Sequence, residues 1–209
     1  MTINVLHGRF TIMKTRGEKS RERIIAVTQK LLARSNPDKV SLDLISLKCN
    51  LSKSSILWHF HSKEELFLAV VTKTFEDFVS HFAGTYDNLS PIEKLDRFFI
   101  EYAAFAKDKP ESNIIILTFL LQKKNNKKIQ AKLRELFSFF RTTFLENLGI
   151  PENEESKYFV SFIIAALDGF FLQWLLDPEE IEINKSYQYL KKYIIDIISQ
   201  GKIDLSRIK

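Results

Sequence analysis

One cysteine among 209 residues, Cys49, excludes an intrachain disulfide and any zinc cluster built on cysteine, and is compatible with a reducing compartment. Six glycines and five prolines are too few for the turn-dense chain of an all-β sandwich or barrel. Long helices are therefore expected. The opening MTINVLHGRFTIMKTRGEKS lacks the unbroken apolar stretch of a secretory signal, so secretion has no support. The four histidines, His7, His59, His61 and His81, all lie in the first half. With them come no Ser-His-Asp spacing, no glycine-rich phosphate loop and no acidic cluster at metal spacing. An enzyme is disfavoured on these grounds, and neither a cofactor nor a metal is expected.

What is present is an ordinary globular composition, 45% apolar and 27% charged, with the charge unevenly placed. Residues 1–66 hold 12 basic and 6 acidic side chains, a net of +6, whereas residues 67–209 hold 19 and 20, a net of −1. One end is built to meet a polyanion.

Punctuation divides the chain into about nine helices with no convincing strand and no internal repeat. The first runs from about Ser20 to Ser35, with Ile24, Ile25, Thr28, Leu31 and Leu32 at helical spacing, and ends at Asn36, Pro37 and Asp38. Ser41 caps a short second helix carrying Leu42, Ile45 and Cys49. Asn50 tolerates the left-handed backbone of a tight turn, and Ser52 caps a third helix from Lys53 to His59. Ser62 and Glu65 form a capping box that opens a long fourth helix with Leu66, Val70, Phe75, Phe78 and Phe82. A second capping box, Ser90 to Glu93, begins a helix that Pro110 stops. An apolar segment from Ile114 to Gln122, a basic break from Lys123 to Lys128 and a phenylalanine-rich helix ending at Gly149 follow. Helices Glu154 to Leu176 and Asn184 to Gln200, the latter closed by Gly201, complete the chain.

Two short helices joined by a tight turn at the basic end suggest a helix-turn-helix. With Ile56 and Phe60 facing the core, Ser54 and Trp58 point the opposite way, flanked by Lys53, Ser55 and Leu57. A small polar surface of this kind suits a helix lying in the major groove, and His59 and Lys63 lie where they reach flanking phosphates. Trp58 is either a half-buried core residue or a groove reader, and its angle opposite Ile56 favours the second. His59 and His61, two apart, fall on different helix faces, which disfavours a metal pair.

The run Leu51-Ser-Lys-Ser-Ser-Ile-Leu-Trp-His-Phe-His-Ser-Lys-Glu-Glu-Leu66, preceded by Ser20-Arg-Glu-Arg-Ile-Ile and Val40-Ser-Leu-Asp-Leu-Ile45, resembles the DNA-binding domain of the TetR/AcrR family of bacterial transcriptional regulators. The resemblance covers residues 18 to 70 motif by motif, and helix count extends it over nearly the whole chain. It implies a cytoplasmic homodimer that binds a palindromic operator and represses until a small molecule releases it. It also implies DNA contacts at Ser41, Ser52, Lys53, Ser54, Ser55, Trp58, His59 and Lys63. Two departures stand out. Asn50 replaces a common turn glycine, and Leu57 replaces a usual tyrosine and so lacks its phosphate hydrogen bond. Cys49 reads as a small buried apolar residue rather than a redox sensor.

The stretch Phe159 to Leu176 is apolar enough to raise a membrane span, but Asp168 near its middle argues against one. Ser161, Ala165 and Gly169 recur every four positions, flanked by Phe162, Phe170 and Trp174, and the last helix adds Tyr193, Ile194 and Ile197. These nine residues are the expected dimer interface, two helices from each copy forming a four-helix bundle. Sixteen of the eighteen phenylalanines follow Phe60. Phe98, Tyr102, Phe105, Phe119, Phe137, Phe140 and Phe144 either line a cavity for a hydrophobic or aromatic effector or simply pack the core, and periodicity does not separate the two. Glu101 beside them either selects a cationic ligand or lies at a solvated edge.

The sequence is thus read as an all-α chain with three parts. Residues 1–17 are a flexible arm carrying Arg9 or, up to Met13, a mis-assigned start. Residues 18–66 are a three-helix DNA-binding domain, and 67–209 a helical effector-binding and dimerisation domain. A helical interaction adaptor is the alternative, with an enzyme behind it.

Overall fold

The computed structural model describes residues 3–6, 9–12, 15–82, 86, 88–121 and 127–200, with backbone alone for 3–6, 9–12 and Phe82. The Arg9 and Phe82 side chains, the Met13 start, the basic break through residue 126 and the Gly201 stop lie outside the described residues. Nine α-helices make up almost all of what is described, as expected of an all-α chain. They are α1 (Arg16–Leu32), α2 (Leu42–Cys49), α3 (Lys53–Phe60), α4 (Lys63–Phe82), α5 (Pro91–Asp108), α6 (Pro110–Leu121), α7 (Lys127–Leu148), α8 (Glu154–Leu176) and α9 (Ile183–Ser199).

One expectation fails at the N-terminus. Strands β1 (Ile3–Leu6) and β2 (Arg9–Ile12) pair antiparallel, Ile3 opposite Ile12 and Leu6 opposite Arg9, where no strand was anticipated. Each is four residues, near the lower limit of strand length, and so short an alternation is hard to see in sequence. Helix α1 also starts earlier than its apolar spacing suggested. Thr15 and Glu18 form a reciprocal capping box, Thr15 N–H donating to Glu18 at 2.7 Å and Glu18 N–H to the Thr15 hydroxyl at 3.2 Å.

The chain divides into two compact units, residues 1–74 with 114–130 and residues 75–113 with 131–209. The first is centred on Ile24, Leu32, Val40, Ile45, Cys49, Ile56, Leu66 and Val70, all essentially inaccessible. Burying a side chain of this size contributes about 1.5–3 kcal/mol, so the helix-turn-helix is held mainly by its apolar inner faces. The turn is as expected. Asn50 adopts φ 49° and ψ 49°, and Leu51 N–H reaches back to the Ser46 carbonyl at 3.0 Å. At the start of α4 only half the expected capping box forms. Glu65 N–H donates to the Ser62 hydroxyl at 3.0 Å, but Ser62 N–H turns to the Phe60 carbonyl, because His61 takes a positive φ of 57° and folds the chain back. Pro110 proves to be the first residue of α6 as well as the end of what precedes it, fitting proline's tolerance at a first helical position.

In the second unit, α5 packs on α9 and α8 on α9. Lys191 of α9 pairs with Asp96 of α5, and the Tyr187 hydroxyl donates to the Leu167 carbonyl of α8 at 3.3 Å. The apolar stripe of α9 is divided between two faces. Tyr187, Leu190 and Ile194 are buried in this unit, so Ile194, expected at a dimer interface, is a core residue here. Tyr189 and Tyr193, neighbouring positions on the helical wheel, are exposed. On α8 the exposed side carries Ser161, Phe162, Ala165, Gly169, Leu172 and Leu176, and a β-carbon added at Gly169 would meet nothing within 4 Å. Phe170 and Trp174 sit at the edge of that face, on Tyr187 (ring centroids 6.4 Å apart) and Phe171 (5.8 Å). Ile197 is half-buried. Among the described residues, α8 alone has the length and hydropathy to cross a membrane.

Candidate nucleic-acid interface

Helix α3 is short and polar on one side because its apolar residues are confined to Ile56, Phe60 and the flanks. Ile56 and Phe60 are buried, and Trp58, on the opposite side, is 73% exposed. The core reading of Trp58 is thereby removed. Its indole meets the His59 imidazole edge-on, ring centroids 4.7 Å apart, which fixes the two aromatic groups together at the surface.

Serine hydroxyls form the rest of the surface. Ser52 accepts the Ser55 N–H at 3.1 Å as the cap of α3, and its oxygen lies 2.7 Å from the Ser55 hydroxyl and 3.0 Å from that of Ser54. Ser41 caps α2 in the same way, accepting Leu44 N–H at 3.1 Å. These hydroxyls can still donate or accept outward, as a helix entering a groove requires. A depression of about 380 Å3 is lined by Ser20, Leu51, Ser54, Ser55, Trp58 and His59.

The cations divide into held and available. Lys53 is exposed and only loosely paired with Asp43 at 3.1 Å, a surface contact of little energetic weight. Lys63 is half-buried. Its ammonium donates to the Pro37 carbonyl at 3.1 Å and lies 5.1 Å from the Phe67 ring centroid, so it ties the start of α4 to the turn before α2. The expected phosphate contact from Lys63 therefore competes with an internal role. Ser20 and Arg21 of α1 were missed in the sequence reading. Arg21 lies over the Phe60 ring at 5.0 Å, beside α3. The signal was available, because both residues stand one helical turn before the buried pair Ile24 and Ile25 and so continue that face past the edge of the core.

Residues 24–70 match the family model of bacterial regulatory proteins of the tetR family. By this segment the chain belongs to the tetR family. The match takes in the two helices and the turn just described. An HTH-type transcriptional regulator of Staphylococcus aureus is 19% identical over 192 residues, spanning 90% of this chain and all of that protein. Among solved structures, a TetR transcriptional regulator from Chloroflexus aurantiacus superposes with a TM-score of 0.74 at 22% identity, over 86% of this chain and 96% of that one. A Saccharomonospora viridis protein classed as a transcriptional regulator and solved in complex with choline gives 0.72 at 18% identity, over 84% and 95%. These likenesses show that the tetR-family fold extends across both units.

The residues expected to line an effector cavity in this tetR-family chain are only partly brought together. Phe98 meets Phe144 at 5.0 Å, Phe140 at 6.1 Å and Tyr102 at 5.7 Å, all in the second unit. Phe105 joins them through Phe78, at 5.3 Å. Rings this close pack as a core. Phe119 belongs to the other unit, edge-on to Phe67 at 5.7 Å, and Phe137 is half-buried while Leu136 beside it is buried. Glu101 is neither solvated nor free, since Arg97 pairs with it at 2.6 Å and the Tyr86 hydroxyl donates to it at 3.0 Å. Among the described residues no group of three His, Cys, Asp or Glu side chains is placed to hold a metal. Cys49 is buried at the base of the turn, and burial pushes its thiol up, away from the reactive thiolate.

Proposed function

We propose that the chain is a sequence-specific DNA-binding transcriptional regulator, a homodimeric cytoplasmic repressor released from a palindromic operator by a small molecule. The observation that carries this reading is the exposed edge of α3. Trp58 and Ser54 stand opposite buried Ile56, in a helix-turn-helix that matches the tetR-family model. Trp58 can meet thymine methyl groups, and the serines can bond base edges and phosphates. Lys53, Arg21 and His59 supply the phosphate contacts, and the +6 charge of residues 1–66 steers the head to DNA.

The dimer is supported by the uncovered side of α8 and α9. Phe162, Leu172, Leu176, Tyr189 and Tyr193 are all exposed, and the open space at Gly169 allows a second helix to approach closely. A two-fold dimer of this kind places two α3 helices about one DNA turn apart, ~34 Å or a similar distance. Ligand release requires only that the effector prefer the arrangement in which that spacing is wrong. No catalytic step is part of this proposal.

A gel shift with the DNA upstream of the chain's own gene tests the proposal. A retained band that survives excess random DNA, and weakens with salt at a log-log slope of about −0.9 per phosphate contacted, is the expected result. Absence of binding to that DNA and to every member of a random-sequence pool would reject it.

A further inference from the structure

The second unit holds a half-buried carboxylate that has no cation. Asp168 lies mid-way along α8, next to Leu167, whose carbonyl accepts the Tyr187 hydroxyl of α9. The Tyr187 ring stands edge-on to Tyr102 of α5 at 5.4 Å, and Tyr102 is 5.7 Å from Phe98. Asp168, Tyr102 and Tyr187 therefore come from three helices and form one cluster. Both phenols are pushed up, by burial first and by the charge of Asp168 in addition, which places that charge within their reach.

Among the described residues no lysine, arginine or histidine pairs with Asp168. The basic side chains of this unit are engaged elsewhere: Lys191 with Asp96, Arg97 with Glu101, Lys132 with Glu135, Lys157 with Glu152 and Lys185 with Glu182. An ionised carboxylate withdrawn from water without a partner is costly, and burial pushes Asp168 up to about 6. At neutral pH it still carries mostly negative charge, beside aromatic rings that themselves attract cations. Glu101, the acidic residue that sequence reasoning placed in this role, is already neutralised by Arg97.

We propose that Asp168, with the rings of Tyr102 and Tyr187, is the recognition point for a small organic cation of the ammonium class. This rests on the ligand-released regulator reading and names the chemistry of its effector. The carboxylate supplies the counter-charge and the rings an apolar, cation-attracting wall. Its half-buried position leaves one side of the carboxylate open to solvent.

The test is calorimetric titration of the full chain with choline, tetramethylammonium and benzyltrimethylammonium, and with 3,3-dimethylbutan-1-ol, the neutral isostere of choline. Wild type and Asp168→Asn are compared at about pH 8 and about pH 5. At least one cation is expected to bind wild type about tenfold or more tightly than the neutral isostere. Asp168→Asn should lose about tenfold or more in cation affinity with the isostere unaffected, and wild-type binding should weaken at the lower pH. The inference is overturned if no cation binds up to about 10 mM, if the isostere binds equally well, or if the variant binds cations as tightly. A thermal melt of the variant shows that it is folded. A gel shift on the same preparations separates the two readings: DNA binding without cation binding removes only this inference, and loss of DNA binding removes the regulator reading beneath it.

Discussion

The ammonium of Lys63 donates to the carbonyl of Pro37 at 3.1 Å while lying 5.1 Å from the centre of the Phe67 ring, so one side chain joins the entry of α2 to the entry of α4. Lys63→Ala should therefore lower stability by about 1–2 kcal/mol, the magnitude of a charge-assisted hydrogen bond lost from a half-buried site. Binding to specific and random DNA should fall together. Chemical denaturation beside anisotropy titrations checks both, and unchanged stability would show that the Pro37 contact carries no weight.

The left-handed backbone at Asn50 makes a second prediction. Asn50→Gly should be neutral or slightly stabilising, whereas Asn50→Val, a β-branched side chain at φ 49°, should cost about 1–2 kcal/mol. Melting temperatures of the two variants provide the check.

Gly169 faces open space, so a larger side chain there is harmless to the isolated chain and harmful to a second copy packed on α8. Gly169→Leu should leave the helical circular dichroism intact and shift sedimentation from dimer to monomer. A variant that stays dimeric would move the interface away from this stripe.

Burial pushes Asp168 from about 4 to about 6, so the folded chain binds a proton there more readily than the unfolded chain. This group's contribution favours the folded state most below about pH 4. It weakens as pH rises through about 6, by up to about 3 kcal/mol in total. Asp168→Asn, which removes the ionisation, should be more stable than wild type at pH 7 to 8, and the advantage should shrink towards pH 4. Urea titrations across that range measure it, and parallel profiles for the two proteins would contradict the assignment.

Much of this molecule could be read in advance where side chains act locally. Ser41, Ser52, Ser90 and Asn50 punctuate the helices as expected because capping depends on residues within three positions of each other. The start of α1 was obscured by Gly17, a poor helix former, although Thr15 and Glu18 carry the capping-box signature. Readings that needed tertiary knowledge fared less well. Periodicity identifies two apolar stripes on α9, but not that Ile194 faces its own core while Tyr193 faces outward. The partners of Glu101 and Lys63, from Tyr86 to Pro37, likewise lie too far along the chain for spacing to suggest them.

The central claim is that the outward side of α3 reads sequence, and its most direct measurement is a specificity ratio. Affinity for an operator selected from a random pool is divided by affinity for scrambled DNA, for wild type and for the double variant Ser54→Ala, Trp58→Ala. Both side chains are exposed, so the fold should change by no more than about 0.5 kcal/mol. The ratio should collapse by about tenfold or more while binding to scrambled DNA stays nearly constant. A ratio unchanged in the double variant, or lost equally on both DNAs, would contradict a reading role for α3.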